Sequence, residues 1–315
     1  MKAAHMQLSR SLKRRHTFAR FALASMAVGE IPCFATTSHA EQSAHAGVAV
    51  GAQYDTAHVY TAPADFDRFV DSFVATFGGT ASDAIVANVL PVPSQTRFRT
   101  VRTPAGALSA FAFTTPVPYP FGQERTGYLV SDMDQALRDA RAAGAEVLVD
   151  TFKDAIGCDA VIQWPGGVKM QLYWHFKAPS SAPLATIPDN RVYVSPDAAE
   201  RFVSGFVRFS HGRIVSDEKS ADAGEIGRPR QTYRRIRIES PFGKMQVHVS
   251  DGHLPYPFGV ETTGYEVAEL AATLAKAKAA GATLLSAPFT SNDRISAVLE
   301  FPGGYVAEVH SAAGR

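Results

Sequence analysis

An internal repeat runs through most of this 315-residue chain. Residues 118–122, with the sequence Pro-Tyr-Pro-Phe-Gly, recur 137 positions later at residues 255–259. The Pro-Gly-Gly triplet at residues 165–167 recurs with the same spacing at residues 302–304. Nearer the start of each copy, matched residues are 133 positions apart. Matched segments in the same order indicate a duplicated domain of about 125 residues, so the chain should contain one fold twice.

The two copies define the expected domain boundaries. A stretch rich in Pro, Ala and Ser separates them, and its prolines favour an extended connector over a helix. We expect one domain over residues 50–178, a linker over residues 179–187 and a second domain over residues 188–313. With 46% hydrophobic residues, the chain suits one or two globular domains with substantial cores.

The local signals follow the same order in each half of a copy. A short β-rich run around His58 precedes phenylalanines at helical spacing, and the helix should end at Gly78. Two alternating strands follow, and a strand near Tyr128 then leads into a second helix, for which Ser131 is the expected cap. Three more strands complete the copy. The pattern predicts an α+β fold with four strand-helix-strand-strand-strand units.

The first forty residues differ in character from the rest of the chain. Basic residues at positions 13–15 precede an apolar run over residues 21–28, and residues 38–40 (Ser-His-Ala) satisfy the small-x-small rule for signal cleavage. We interpret residues 1–40 as a signal peptide of a periplasmic or secreted protein; the alternative is a disordered N-terminal tail. The export route, general or twin-arginine, stays open. No later stretch approaches the ~18 uninterrupted apolar residues of a membrane span.

Export predicts cleavage after Ala40. Intact-mass spectrometry of protein from the native host should show a chain that begins at Glu41, with a recombinant chain starting at that residue as the mass standard. A full-length chain in the cytoplasm would contradict this interpretation.

Charge and cysteine content exclude several functions. The chain has 31 Lys+Arg against 30 Asp+Glu, and beyond the N-terminus its basic residues are dispersed rather than gathered into a stripe. A nucleic-acid partner is therefore not expected. The two cysteines are too few for a disulfide framework and form no C-x-x-C pair, so any metal would have to be held by histidines and carboxylates.

Three motifs in order resemble the vicinal oxygen chelate superfamily, which includes glyoxalases, bleomycin-resistance proteins and extradiol dioxygenases. They are His58 with Asp65 at the head of the first helix, residues 127–130 (Gly-Tyr-Leu-Val) before the second helix, and residues 165–171 (Pro-Gly-Gly-Val-Lys-Met-Gln) as the closing turn and strand. The resemblance covers nearly all of residues 54–312, twice. It implies two tandem glyoxalase-like domains, in each of which two units join their sheets into a cup.

The resemblance also implies where a metal would be held. The superfamily binds its metal through four inward-facing strand positions, commonly His and Glu. The corresponding positions are His58, Phe111, Arg125 and Gln171 in the first copy, and Arg191, His248, Thr262 and Glu308 in the second. Two of four in each copy are possible ligands, whereas Lewis-acid chemistry needs at least three firm ones.

Glu308 and His248 form the stronger candidate metal pair, because imidazole plus carboxylate can hold Zn, Fe, Mn or Ni. Glu308 is also the candidate catalytic base. His58 and Gln171 form the weaker pair, because an amide is a weak ligand and a poor base. The alternative is that no metal is bound, and that Arg191 pairs with Glu308 or binds an anionic ligand.

The duplicated Pro-Tyr-Pro-Phe-Gly loops present aromatic surface where one unit passes to the next. They suit stacking on a flat ligand, and the alternative is a packing plug between units. Besides Arg191 and Arg125, the candidate ligand-binding residues are the loop aromatics, the glutamates just beyond them and one strand tyrosine: Tyr119, Phe121, Glu124, Tyr173, Tyr256, Phe258 and Glu261.

Three functions compete. The first is an exported glyoxalase-like enzyme, a metal-dependent lyase or dioxygenase acting on a small oxygen-rich molecule. The second is a metal-free protein that sequesters a small aromatic or anionic compound, and the third is a structural module without a ligand. Each copy has only two possible metal ligands, which weighs against the metal-dependent enzyme. The presence of His248, Glu308 and Arg191 weighs against the structural module. We predict a glyoxalase-like protein with a small-molecule ligand, and metal-free binding is the alternative.

The two cups should differ in what they bind. His58 and Gln171 make the first nearly neutral, and it should prefer flat apolar compounds. Arg191 and Glu308 give the second a paired positive and negative charge, so a polar ligand, a metal or ordered water should occupy it.

Overall fold

The computed structural model describes residues 47–89, 92–291 and 294–313, and the predicted signal peptide lies outside them. The first copy contains β1 (Thr56–Tyr60), α1 (Phe66–Phe77), β2 (Thr80–Ala81), β3 (Ile85–Val89), β4 (Ser94–Thr103), β5 (Gly106–Phe113), β6 (Thr126–Leu129), α2 (Met133–Ala142), β7 (Glu146–Lys153), β8 (Gly157–Gln163) and β9 (Lys169–His175). The second contains β10 (Asp189–Val194), α3 (Pro196–Ser210), β11 (Arg213–Asp222), β12 (Thr232–Ser240), β13 (Gly243–Val249), β14 (Thr262–Glu266), α4 (Leu270–Ala279), β15 (Thr283–Ser291), β16 (Arg294–Phe301) and β17 (Tyr305–Ala312).

Each copy forms one mixed sheet with the same strand order. The first sheet runs β4-β5-β1-β6-β9-β8-β7, with β2 and β3 both paired to β4, and the second runs β11-β12-β13-β10-β14-β17-β16-β15. Two units join where β1 pairs antiparallel with β6, and where β10 pairs with β14. The prediction of two tandem glyoxalase-like domains built from paired units is confirmed. The predicted linker region contains no helix or strand.

The helices begin and end where local chemistry directs them. In α1, Phe66, Phe69 and Phe73 are fully buried, and the helix ends at Gly78 in a left-handed conformation (φ 78°). The predicted cap of α2 is wrong by one residue: Asp132 accepts the Gln135 N–H at 2.9 Å, while the preceding serine bonds elsewhere. Among the described helices, none combines the length and apolar character needed to cross a membrane.

The apolar core lies between the two sheets and is shared by both copies. One cluster combines α2 and strands of the first sheet with α3 and strands of the second. The other combines α1, β1, β4 and β5 with α4, β14, β16 and β17. Strand side chains alternate between faces, so the face of each sheet turned away from the helices is left to form a separate lining, which we call its cup.

Candidate functional site

Matched strand pairs give the two cups opposite chemical character. In the first sheet, Phe98 of β4 lies opposite Phe111 of β5. At the matched positions of the second sheet, 137 residues later, Arg235 of β12 lies opposite His248 of β13. The repeat has therefore kept the backbone pairing while aromatic rings line one cup and ionisable groups line the other.

Aromatic side chains fill much of the first cup. Tyr60 stacks on Phe111 with ring centroids 5.0 Å apart, and Phe121 meets Phe152 edge to face at 5.9 Å. These rings pack with Val161 of β8 into one buried cluster. This packing supports the plug interpretation of Phe121 and leaves less room for the flat ligand expected in this cup.

A buried carboxylate faces His58 in this cup. The carboxylate belongs to Glu124, which is fully buried; its Oε1 lies 3.5 Å from His58 Nδ1 and accepts the Tyr60 hydroxyl. Arg125 is the residue predicted for this inward-facing strand position. Its backbone oxygen instead accepts a hydrogen bond from the backbone N–H of His58. A Cβ at Gly127 would lie 2.4 Å from His58 Nε2, so the glycine makes room for the ring.

The amide of Gln171 is engaged within the first sheet. It donates to Asp159 of β8, whose pKa rises to about 8 because burial and the nearby Asp154 outweigh this hydrogen bond. Tyr173, two residues further along β9, donates its hydroxyl to the backbone oxygen of Tyr54. The structure therefore uses the Gln171 amide and the Tyr173 hydroxyl to hold neighbouring segments.

A charge cluster centred on Arg235 lies in the second cup. Its Nη1 donates to Glu225 Oε1 at 2.5 Å and to Ser291 Oγ at 2.7 Å, and its Nη2 donates to both carboxylate oxygens of Glu218. Gln246 of β13 donates to the other oxygen of Glu225 at 3.2 Å. Arg235 is only 1% exposed, so this cluster is part of the cup interior.

Arg191 and Glu308 lie beside each other in the same cup. Arg191 Nη1 is 3.8 Å from Glu308 Oε1, and both side chains are buried. Glu308 Oε2 is hydrogen-bonded to His310 Nδ1 at 2.8 Å. Burial raises the pKa of Glu308, but the Arg191 charge and the His310 hydrogen bond outweigh it and hold the pKa at about 2. Glu308 is therefore an ionised carboxylate at neutral pH.

His248 is held by neighbours other than Glu308. Its Nδ1 shares a hydrogen bond of 2.7 Å with the Tyr233 hydroxyl, and its Nε2 lies 3.4 Å from Gln246 Nε2. The ring stacks on Tyr193 at 4.8 Å. Burial and then the charge of Arg191 lower the pKa of His248 well below its usual value, so the imidazole is neutral.

Solved structures share this architecture. No family profile matches the sequence, and no curated protein does. A triple mutant of 4-hydroxymandelate synthase from Streptomyces coelicolor superposes with a TM-score of 0.58 at 14% identity, over 85% of this chain and 94% of that one. A 2,2',3-trihydroxybiphenyl 1,2-dioxygenase from Sphingomonas wittichii strain RW1 gives 0.53 at 12% identity, over 84% and 91%. The Mn(II)-bound glyoxalase from Novosphingobium aromaticivorans gives 0.51 at 13% identity, over 84% and 83%.

The chain has the vicinal oxygen chelate fold. These neighbours are a dioxygenase, a synthase and a glyoxalase that share the fold at low sequence identity. The resemblance inferred from the motifs is thus confirmed at the level of the fold, and the chemistry of the cups has to be argued from their own side chains.

The donor sets of this vicinal oxygen chelate fold do not fit a divalent metal. Among residues 47–89, 92–291 and 294–313, no three His, Cys, Asp or Glu side chains gather into a possible metal site. Glu308 pairs with a cation, and Gly264, its neighbour across the sheet, offers no side chain. Thr262 pairs with Arg191 across the strands, which again places a positive charge where a metal would sit. In the first cup, His58 and Glu124 face each other, and the described residues add no third His, Cys, Asp or Glu to this pair.

The two aromatic loops of the fold present their tyrosines to solvent. Tyr119 and Tyr256 are 66% and 68% exposed. Phe121 is buried in the first cup, whereas Phe258 is half-buried against a glycine turn of the second copy. The structure therefore divides each loop into an exposed Tyr and a packed Phe, and the rings do not form one stacking surface.

Glu261, the counterpart of Glu124, lies outside the second cup. Its Oε1 accepts the Thr126 hydroxyl of the other copy at 3.1 Å. Burial raises the pKa of Glu261 to about 7, although hydrogen bonds from Thr126 and Asn190 oppose the rise. The repeat therefore places one glutamate in a cup and its partner between the copies.

Several of these polar groups were missed from the sequence. Those not singled out are Asp159, Glu225, Arg235, Gln246 and His310. One signal was available: in β12, Tyr233 and Arg235 alternate with Ile236 and Ile238, which indicates a strand with one ionisable face and one apolar face. The matched position in the first copy is Phe98, an apolar residue. The alternation in β12 therefore predicts that the second cup differs from the first.

Proposed function

We propose that the protein binds a small organic acid in its second cup without a metal. The observation that carries this proposal is Arg191, a buried guanidinium whose ion pair with Glu308 is 3.8 Å long. That separation exceeds a hydrogen bond. Guanidinium groups bind carboxylates through paired N–H donors, so the carboxylate of a ligand would satisfy donors that Glu308 leaves open.

Buried polar atoms without a partner describe the rest of the ligand. Within the described part of the chain, Glu308 Oε1 and Gln246 Oε1 are acceptors with no hydrogen bond, and Arg235 Nε is a donor with none. Buried polar atoms of this kind are normally satisfied by a ligand or by water. A hydroxyl on the ligand would donate to one of these acceptors and could accept from a donor, which favours a hydroxy acid over a simple alkyl carboxylate.

Two buried arginines offset most of the negative charge of the cup. Arg191 and Arg235 face the buried carboxylates of Glu225 and Glu308 and the partly exposed carboxylate of Glu218, so a bound acid has to make its charged contact with the guanidinium of Arg191.

Acid-base catalysis in the same cup is the second candidate function. The observation that favours it is the buried hydrogen bond between Glu308 and His310, because a carboxylate orients an imidazole and leaves its other nitrogen to accept a proton. Metal-dependent lyase or dioxygenase chemistry has the support of the fold neighbours, but the donor sets of both cups oppose it.

Titration calorimetry of the full chain with lactate and glycolate tests the binding proposal. Arg191→Met should weaken lactate binding by at least about tenfold, because the carboxylate loses its charged partner. Arg213→Met, which removes an exposed arginine paired with Glu239, is the control and should leave binding unchanged. The double variant Arg191→Met/Glu308→Gln removes both buried charges, so it keeps the test valid if the single variant does not fold.

Two results would overturn the proposal. One is the absence of binding of either acid to the folded parent protein, and the other is equal affinity in the parent and the Arg191 variants. Metal analysis of the same preparations discriminates the enzyme alternatives. One bound divalent metal per chain that is lost in Glu308→Gln would favour a metal-dependent enzyme, and a metal-free protein that converts the bound acid would favour acid-base catalysis.

A further inference from the structure

A small polar pocket lies between the two copies, apart from both cups. It is a half-open pocket of about 30 Å³ and is lined by residues from both copies, including Thr126 of β6 and Thr263 of β14. These two threonines occupy matched positions of the repeat. The pocket therefore lies where equivalent strands of the two sheets approach each other, and it interrupts the apolar core between them.

Two acceptor atoms at this pocket lack a partner among the residues that the structure describes. Asp55 Oδ2 and Asn190 Oδ1 are buried without a hydrogen bond to any of these residues, and Asn190 is only 7% exposed. The other Asp55 oxygen accepts the Leu129 N–H at the long distance of 3.4 Å. Burial raises the pKa of Asp55 well above its usual value, which shows how little the surroundings compensate its charge. The pocket thus contains acceptors that the surrounding residues leave unsatisfied.

The remaining walls are aromatic and apolar. Tyr128 and Phe242 line the pocket with ring centroids 4.8 Å apart, and Ile187 and Pro188 lie beside them. Tyr128 accepts the Asn190 amide N–H at 3.4 Å, so its own hydroxyl proton remains for a further acceptor. A carboxylate, an amide oxygen and aromatic faces around a narrow space are the groups that recognise an organic cation.

We propose that this pocket binds the primary ammonium group of a small amine. Asp55 and Asn190 accept the ammonium N–H donors, and the rings of Tyr128 and Phe242 pack against the first methylene groups. A bare metal ion is disfavoured, because it would face this apolar wall and one carboxylate alone. Lys244 also lines the pocket, but its ammonium lies 3.2 Å from Glu266, and both side chains are 40% exposed.

Thermal unfolding of the full chain with propylammonium chloride tests this proposal. Propylammonium should raise the melting temperature in a saturable manner, whereas propan-1-ol, which has the same carbon chain without the charge, and sodium chloride should not. Asp55→Asn should weaken propylammonium binding by at least about tenfold, because the isosteric amide removes the charge. Asp150→Asn, which neutralises a carboxylate that is 86% exposed, is the matched control and should bind as the parent does.

A second variant tests the pocket in the opposite direction. Lys244→Met removes a positive charge from the wall at a partly exposed site, so it should fold and should bind propylammonium about threefold more tightly. Equal stabilisation by sodium chloride or by propan-1-ol would overturn the proposal. So would unchanged affinity in both the Asp55 and the Lys244 variants, or no stabilisation of the folded parent by propylammonium.

Discussion

Replacing Arg235 by methionine should lower the free energy of unfolding by about 3–5 kcal/mol, because it leaves Glu225 buried without its cation. Arg235 is 1% exposed, and its guanidinium lies 2.5 Å from a Glu225 oxygen. Water cannot easily reach the carboxylate to replace the lost hydrogen bonds. Urea unfolding at neutral pH, followed by fluorescence of the buried Trp164, measures the loss.

The neighbouring arginine provides the control for this prediction. Arg234 lies on the same strand but pairs with Asp217 and Glu200, of which Glu200 is 73% exposed, so Arg234→Met should cost about 1 kcal/mol or less. The double variant Arg235→Met/Glu225→Gln should recover part of the loss, since no unpaired charge remains. Equal losses for the Arg234 and Arg235 single variants would show that burial does not govern this cluster.

Asp159→Asn should make the protein more stable at alkaline pH by several kcal/mol. The pKa of Asp159 in the folded protein is about 8, above its usual value, so between about pH 4 and pH 8 the folded state holds a proton that the unfolded state has released. The free energy of unfolding of the parent therefore falls as pH rises through this window, by about 1.4 kcal/mol per pH unit for this group. The amide cannot ionise, so the free energy of unfolding of the variant should not include this pH-dependent decrease.

Urea unfolding at pH 5, 7 and 9 measures this difference. The curves of parent and variant should lie close together at pH 5 and diverge towards pH 9. Asp150→Asn, at an exposed carboxylate, should follow the parent at every pH. Glu261 titrates in the same direction near pH 7, so the variant should retain a smaller pH dependence. Parallel curves for the parent and Asp159→Asn would contradict the raised pKa.

The sequence was sufficient for the architecture because the repeat constrains it twice. Helical spacing of the phenylalanines located α1, and the Pro-Gly-Gly turns located the closing strand pairs. In both turns the glycines adopt positive φ, at 92° and 87° for Gly166 and Gly167, which explains the recurrence of the motif. Patterns of this kind act over a few residues, so a sequence displays them directly.

The cup partners could not be derived in the same way. Glu124 and Arg125 are adjacent, and the direction of each side chain depends on how the chain twists just before β6. Arg235 meets Glu225 and Ser291, which are 10 and 56 positions away. Such contacts depend on how distant strands and loops are placed relative to one another. A pattern that repeats over a few residues carries no information about that placement.

The core between the sheets also explains why the two copies have diverged so far on their other faces. Trp164 of the first copy packs on Phe206 of the second, and Phe73 of the first packs on Tyr265 of the second. Cutting the chain at the linker would expose these rings in both halves, so the two copies depend on each other to fold. Because that shared layer supplies most of the apolar burial, neither cup has to be apolar for the protein to hold together. The first cup can therefore be packed with aromatic rings and the second with charged groups on the same shared core.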